Sequence, residues 1–129
     1  MKKIIIVLLL IVLPVSFGYE LSYKGDVNQS YVNETLNSID DYFFENLKYI
    51  VVYDCVPSKY FGYNKWGLIW INMCRLQEYN LTLREALGHE LGHLYWFYEL
   101  PRQEKIEWCK FTDTYGYQCK ESFANGFGI

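Results

Sequence analysis

This sequence contains few histidine, methionine and proline residues, fewer basic than acidic residues, and no long apolar run. Histidine occurs only twice in 129 residues, and methionine twice and proline three times. Basic residues are outnumbered by acidic ones, 12 to 15, which excludes the positively charged surface that nucleic-acid binding requires. The longest apolar run covers residues 4–15, too short for a comfortable membrane span, which needs roughly 20 residues.

The residue types that are abundant indicate a folded domain. Hydrophobic residues make up 51% of the chain, and its 4 Trp, 13 Tyr and 8 Phe exclude a disordered or low-complexity segment. The length suits one domain with a modest core. We therefore predict a single domain over residues 19–129, which we expect to be a monomer.

Residues 1–18 have the order of a signal peptide. Lys2 and Lys3 form a short basic region, the apolar run follows, and Ser16 and Gly18 supply small residues at a cleavage point. We predict a secreted or extracytoplasmic protein, with an uncleaved signal anchor as the alternative. Once residues 1–18 are removed, 10 basic and 15 acidic residues remain, so we expect no stable association with an anionic membrane.

The four cysteines all lie in the part predicted to be exported. No two of them form a C-x-x-C pair, so the spacing typical of cysteine zinc sites is absent among Cys55, Cys74, Cys109 and Cys119. An even number of cysteines in an oxidising compartment predicts two disulfides. Of the three possible pairings we favour Cys55 with Cys74 and Cys109 with Cys119.

The first half of the domain combines a helical pattern with two strand patterns. Apolar residues recur every three or four positions over residues 30–48, which predicts a helix. Residues 49–53 and 67–73 are rich in β-branched and aromatic side chains and are predicted to pair as a hairpin or as sheet neighbours. The segment 19–29 before them is predicted to be an arm or an edge strand.

The second half is predicted to be helical. Thr82 and Glu85 form a capping box, in which each side chain bonds the other residue's backbone amide, and this box predicts the start of a helix that ends near Glu99. Further helical segments are predicted over 103–110 and 120–126. The complete order, with an N-terminal helix, a small sheet and C-terminal helices, predicts the α+β class.

Both histidines fall within one H-E-x-x-H pattern on the capped helix. His89 and His93 are four residues apart, just over one helical turn, so their imidazoles project from the same face and can bind one metal ion. Glu90 lies beside the first of them and is the candidate general base. The alternative is a pair of incidental surface histidines in a disulfide-bonded secreted effector.

A catalytic zinc site needs a third protein ligand. Because no histidine remains, this ligand must be a carboxylate or a cysteine. Glu99 has the spacing of one known group of peptidases, but the glycine that turns the chain there is replaced by Trp96. In a continuous helix Glu99 points about 240° away from His93. Glu121, on a separate predicted helix, is the better candidate.

Two segments carry a resemblance to a known family. They are Gly88 to His93, and Thr114, Tyr115 and Gly116 followed by Glu121, Phe123, Ala124 and Phe127. Over residues 81–129 the chain resembles the zincin metallopeptidase domain of the anthrax lethal factor and Pro-Pro endopeptidase group. Members of that group have H-E-x-x-H, a Tyr-Gly-like turn, and a glutamate ligand in E-x-F-A-E-x-F.

This resemblance implies a minimal zincin-like domain with one Zn²⁺ per chain. His89, His93 and Glu121 are then the metal ligands, and Glu90 is the general base. It also implies that Tyr115 donates its hydroxyl to the oxyanion of the tetrahedral intermediate. Tyr115 is one residue closer to the ligand than in the family, so Tyr117 is the alternative.

Another departure from the family lies four residues after the glutamate ligand. Asn125 stands where the family has an acidic residue, so the outer contact made by that acid is in question.

The predicted function is a secreted zinc-dependent endopeptidase acting on peptides or proteins. The substrate is expected to lie extended along residues 67–73, with Trp66 and Trp70 as candidate pocket residues. The alternative from another class is a catalytically inactive zincin-like secreted module, which binds zinc for structure or uses the fold to bind a partner.

Overall fold

The computed structural model describes residues 18–129, and within them it has the predicted α+β architecture. The four strands are β1 (Glu20–Lys24), β2 (Tyr49–Tyr53), β3 (Gly62–Lys65) and β4 (Leu68–Asn72). The five helices are α1 (Gln29–Asn37), α2 (Met73–Leu76), α3 (Leu83–Tyr98), α4 (Arg102–Thr112) and α5 (Gly116–Gly126). The predicted signal peptide lies outside the described residues, except for Gly18. Across 18–129 no helix has the length and apolar character needed to cross a membrane.

The strands form one sheet in the order β1-β2-β4-β3. β1, β2 and β4 are parallel, whereas β3 runs antiparallel to β4. Strands β2 and β4 were correctly predicted as neighbours, but the hairpin alternative is wrong, because the chain between them contains β3. Strand β4 is therefore paired on both sides. The expected path of a substrate along a free edge at residues 67–73 is wrong, since the outer strand is β3.

The helix predicted over residues 30–48 is divided. Helix α1 ends at Asn37, and a separate 3-10 helix covers Asp41–Phe44. Ser38 donates its hydroxyl to the Thr35 carbonyl, and Asp40 accepts a hydrogen bond from the amide of Tyr42. Such local side-chain bonds compete with helix continuation. The apolar spacing correctly predicted that this face is buried, but the single unbroken helix that it also predicted is wrong.

Helix α3 begins at the predicted capping box. The Thr82 hydroxyl accepts a hydrogen bond from the Glu85 amide at 3.1 Å, and the Glu85 carboxylate accepts one from the Thr82 amide at 3.1 Å. The helix buries one face in the core that it shares with the sheet. That core includes Ile50, Val52, Ile69, Ile71, Leu83, Ala86, Leu87 and Leu91.

Two disulfides, with the predicted pairing, are present. Cys55–Cys74 ties the segment after β2 to α2, and Cys109–Cys119 joins α4 to α5. They close loops with sequence separations of 19 and 10 residues, and loops of this size are worth about 3 kcal/mol each in the chain-entropy account. Two disulfides fit an extracytoplasmic protein.

Candidate metal centre

His89, His93 and Glu121 lie together and could hold a metal ion. The two Nε2 atoms of the histidines are 3.2 Å apart. The Glu121 carboxylate lies 3.2 Å from Nε2 of His89 and 2.9 Å from Nε2 of His93. Ligand atoms at the corners of a tetrahedron with bonds of about 2.0–2.1 Å are about 3.3 Å apart. The spacing and donor types of the three side chains therefore fit a small divalent ion.

The two helices that carry these ligands approach each other at Gly92. A Cβ atom on Gly92 would lie 2.9 Å from the Cα of Ala124 and 2.9 Å from the Cβ of Phe127. Carbon atoms in contact are normally about 3.5–4.0 Å apart. Only glycine lets α5 come this close to α3, so Gly92 sets the distance across which Glu121 reaches the two histidines.

We expect Gly92→Ala to weaken metal binding. Overpacking costs about 1–3 kcal/mol, more than the roughly 1 kcal/mol that alanine gains over glycine as a helix former. Gly88→Ala is the matched control, because a Cβ there meets the Ile129 side chain at 3.3 Å, and a side chain can move. Metal titration and thermal unfolding should show a loss for Gly92→Ala alone. Equal losses in the two variants would contradict the role of Gly92.

Glu90 is buried beside the centre, with 3% of its surface exposed. Burial raises the pKa of Glu90 to about 7; the Asn64 hydrogen bond acts in the opposite direction, and the charge of Glu121 raises the pKa further. The Asn64 amide, on β3, donates this hydrogen bond to the carboxylate. Gly62 leaves room for the same carboxylate, since a Cβ there would lie 3.0 Å from its Oε1.

Asn125 contacts one of the two histidines, a contact that the sequence alone could not predict. Its Oδ1 lies 2.9 Å from Nδ1 of His89. A proton on Nδ1 satisfies this hydrogen bond and leaves the Nε2 lone pair free for a metal ion. The acceptor for the His89 ring is thus an amide oxygen. Burial lowers the pKa of His93, which favours the neutral ring that metal binding requires.

The structure places the two candidate tyrosines differently. Helix α5 begins at Gly116, four residues before its predicted start, so Tyr117 and Glu121 are one turn apart on the same face. A hydrogen bond to the Glu121 carboxylate is the main cause that raises the pKa of Tyr117. Both tyrosines are largely exposed, but Tyr115 precedes the helix and lines a separate groove with Ile106 and Lys110 of α4. Tyr117 is therefore the tyrosine that lies next to the ligand.

Glu99 lies apart from the centre, as the helical spacing predicts. It is the C-terminal cap of α3, and its carboxylate accepts a hydrogen bond from the Asn46 amide at 2.6 Å.

Sequence reasoning missed Gly62, Asn64 and Gly92, and did not assign Asn125 its contact. Gly62 and Asn64 belong to a four-residue strand without an alternating apolar pattern, so no periodic signal identified them. Gly92 lies within the H-E-x-x-H pattern, but its role could not be predicted because it depends on how α5 packs against α3.

Comparisons of the chain with protein-family models, with curated proteins and with solved structures find no match.

Proposed function

We propose that the protein is an exported zinc-dependent endopeptidase. The observation that carries the proposal is the buried Glu90 carboxylate beside three side chains of the kinds that bind catalytic zinc, two histidines and one glutamate. A purely structural site has no use for an adjacent buried base and is normally closed by a fourth protein ligand. Within residues 18–129 only His89, His93 and Glu121 form such a group.

The residues of the centre suit zinc better than magnesium or calcium. Neutral imidazole nitrogens and a carboxylate oxygen suit Zn²⁺, whereas Mg²⁺ and Ca²⁺ prefer ligands that are all oxygen. When bound, zinc supplies Lewis-acid chemistry, lowering the pKa of water and polarising a carbonyl oxygen. His89 is held in the tautomer that exposes Nε2 by its contact with Asn125.

Glu90 has the properties of a general base. Its carboxylate is buried next to the centre, and a carboxylate can both accept and return a proton. In peptide hydrolysis Glu90 accepts a proton from the attacking water and delivers it to the leaving amine. The Asn64 hydrogen bond fixes the orientation of the carboxylate during both transfers.

We assign to the Tyr117 hydroxyl the hydrogen bond to the oxyanion that forms on the peptide carbonyl. Its position one turn before Glu121 supports this assignment. Tyr115, which the family resemblance implies for the same role, is the alternative.

A peptide in extended form can bind along β3, the outer strand of the sheet. Main-chain hydrogen bonds to an edge strand give affinity without dependence on sequence. Asn64 of β3 donates to Glu90 and Gly62 of the same strand faces its carboxylate, so a peptide on this strand passes close to the base. The two disulfides and the signal-like residues 1–18 support export.

The proposal is tested with disulfide-intact protein loaded with zinc and a broad peptide library. We expect about one zinc per chain and internal cleavage of peptides, abolished by a chelator and restored by added zinc. Cleavage that survives metal removal would show a contaminating or metal-independent peptidase. Full zinc loading without any cleavage would instead favour the catalytically inactive module.

A further inference from the structure

Trp66 has a backbone conformation that its side chain disfavours. Trp66 and Gly67 connect β3 to β4, with φ angles of 51° and 82°, and the flanking residues Lys65 and Leu68 pair. Two-residue turns of this kind need positive φ at both positions and normally contain Asn-Gly. A bulky side chain in the left-handed region is uncommon and costs free energy. Burial does not compensate, because Trp66 is 73% exposed.

The Trp66 side chain instead forms one wall of a cavity beside the metal centre. This cavity, of about 210 Å³, lies between the β3–β4 turn and the C-terminal part of α3. His93 lines it, so the cavity opens next to a metal ligand, and Trp96 and Phe97 supply further aromatic walls. A strained, exposed aromatic residue beside a candidate active centre points to ligand contact rather than to folding.

Two lysines give this cavity a positive charge. The ammonium of Lys65 lies 4.4 Å from the centroid of the Trp66 ring, and Lys120 lines the cavity one residue before Glu121. Within residues 18–129 neither lysine forms an ion pair, and the cavity lining contains no aspartate or glutamate. The cation–π contact holds the Lys65 ammonium at the cavity, ready to meet an anion.

The larger cavity on the other side of the centre differs in its charges. It has a volume of about 460 Å³ and is lined by His89, Arg84 and Glu85. Arg84 donates to the Ser38 hydroxyl and to the Ile129 carbonyl oxygen, and Glu85 is engaged in the capping box. That cavity is lined by one cation and one side-chain carboxylate, whereas the cavity on the His93 side is lined by two lysines and no carboxylate, so the preference for anions is assigned to the His93 side.

We propose that the cavity formed by Trp66, Lys65 and Lys120 binds an aspartate or glutamate side chain of the peptide substrate, on the His93 side of the scissile bond. This inference rests on the proposed peptidase function. The substrates are then peptides with an acidic residue near the cleaved bond.

The first test compares matched peptides that differ only in Glu, Gln or Lys at one position near the cleaved bond. At one position we expect kcat/KM to be about fivefold higher for Glu than for Lys, as expected for a partly exposed ion pair. Lys120→Glu leaves one cation and one anion at the cavity and should remove the preference. Lys110→Glu changes the same charge on a separate groove of α4 and should preserve it. Indifference to the peptide's charge, or equal effects of the two variants, overturns the inference.

The second test uses Trp66→Asn, the residue that the turn prefers. We expect the Tm of this variant to equal or exceed that of the wild type, while the preference for Glu over Lys falls. Should Trp66 serve the fold alone, the Tm would fall and the preference would remain, and the inference would be wrong.

Binding separates this inference from the peptidase proposal. Zinc-loaded Glu90→Gln protein is titrated with the same peptides, using the Trp fluorescence of the protein. Tighter binding of the Glu peptide with no cleavage by the wild type would support the acidic-residue site and reject the peptidase proposal. Equal binding of the Glu and Lys peptides would reject the site, whether or not the wild type cleaves them.

Discussion

Glu90→Gln is expected to abolish most peptide cleavage while leaving zinc bound at about one ion per chain. Glutamine keeps the shape of the side chain and can still accept the Asn64 hydrogen bond, but it cannot take a proton from water. Loss of a general base lowers the rate by about 10²–10⁴-fold, so kcat should fall by this factor. Zinc analysis and initial rates on one library-derived peptide measure both quantities. Unchanged kcat would show that Glu90 is not the base.

The metal-free forms of the same two proteins provide a control for folding. The folded-state pKa of Glu90 is raised to about 7, from 4.5 for the ordinary carboxyl. Because the pKa is raised in the folded state, the stability that the protonated Glu90 carboxyl contributes is fully present below pH 4.5 and is lost as the pH rises through 7. Wild type should therefore lose free energy of unfolding over this window relative to Glu90→Gln, and the two should be equally stable at pH 4. Denaturant titrations at several pH values measure the difference.

Local chemistry explains which features the sequence predicted correctly. The capping box of Thr82 and Glu85 acts within one turn, so it determined the start of α3 without knowledge of the fold. The i, i+4 spacing of the two histidines likewise required only helical geometry. Chain-local cysteine spacing was enough to favour the short Cys109–Cys119 loop.

Features that depend on distant residues were not predictable in the same way. Strand β3 is short and lacks alternation, and it becomes a strand because β4 offers it a partner. Its Asn64 meets Glu90, 26 positions later in the chain, only because the sheet edge lies along α3. The position of Tyr117 likewise depends on where α5 begins, which is at Gly116, a residue with φ of 55° that only glycine adopts easily.

The choice of Glu121 as the candidate third ligand lies between these two cases, because it was made by elimination and by family resemblance rather than by spacing. The structure supplies an independent reason for its position: the close approach at Gly92 brings α5 onto α3, and the Cys109–Cys119 disulfide ties α5 to α4. Neither feature depends on the metal ion. The helix pair should therefore remain assembled when one ligand is removed, which makes the ligand set testable by single substitutions.

Glu121→Gln is expected to lower zinc affinity by more than about 100-fold, beyond the roughly 10- to 100-fold that loss of an outer contact costs. Asn125→Ala removes such an outer contact, to His89, and should lie within that lower range. Glu99→Gln should bind zinc as the wild type does, because Glu99 contacts Asn46 and not the centre. Competition with a chelating dye measures all three affinities. If Glu99→Gln loses zinc while Glu121→Gln retains it, the third ligand is Glu99 at the end of α3, and Glu121 of α5 is not a ligand.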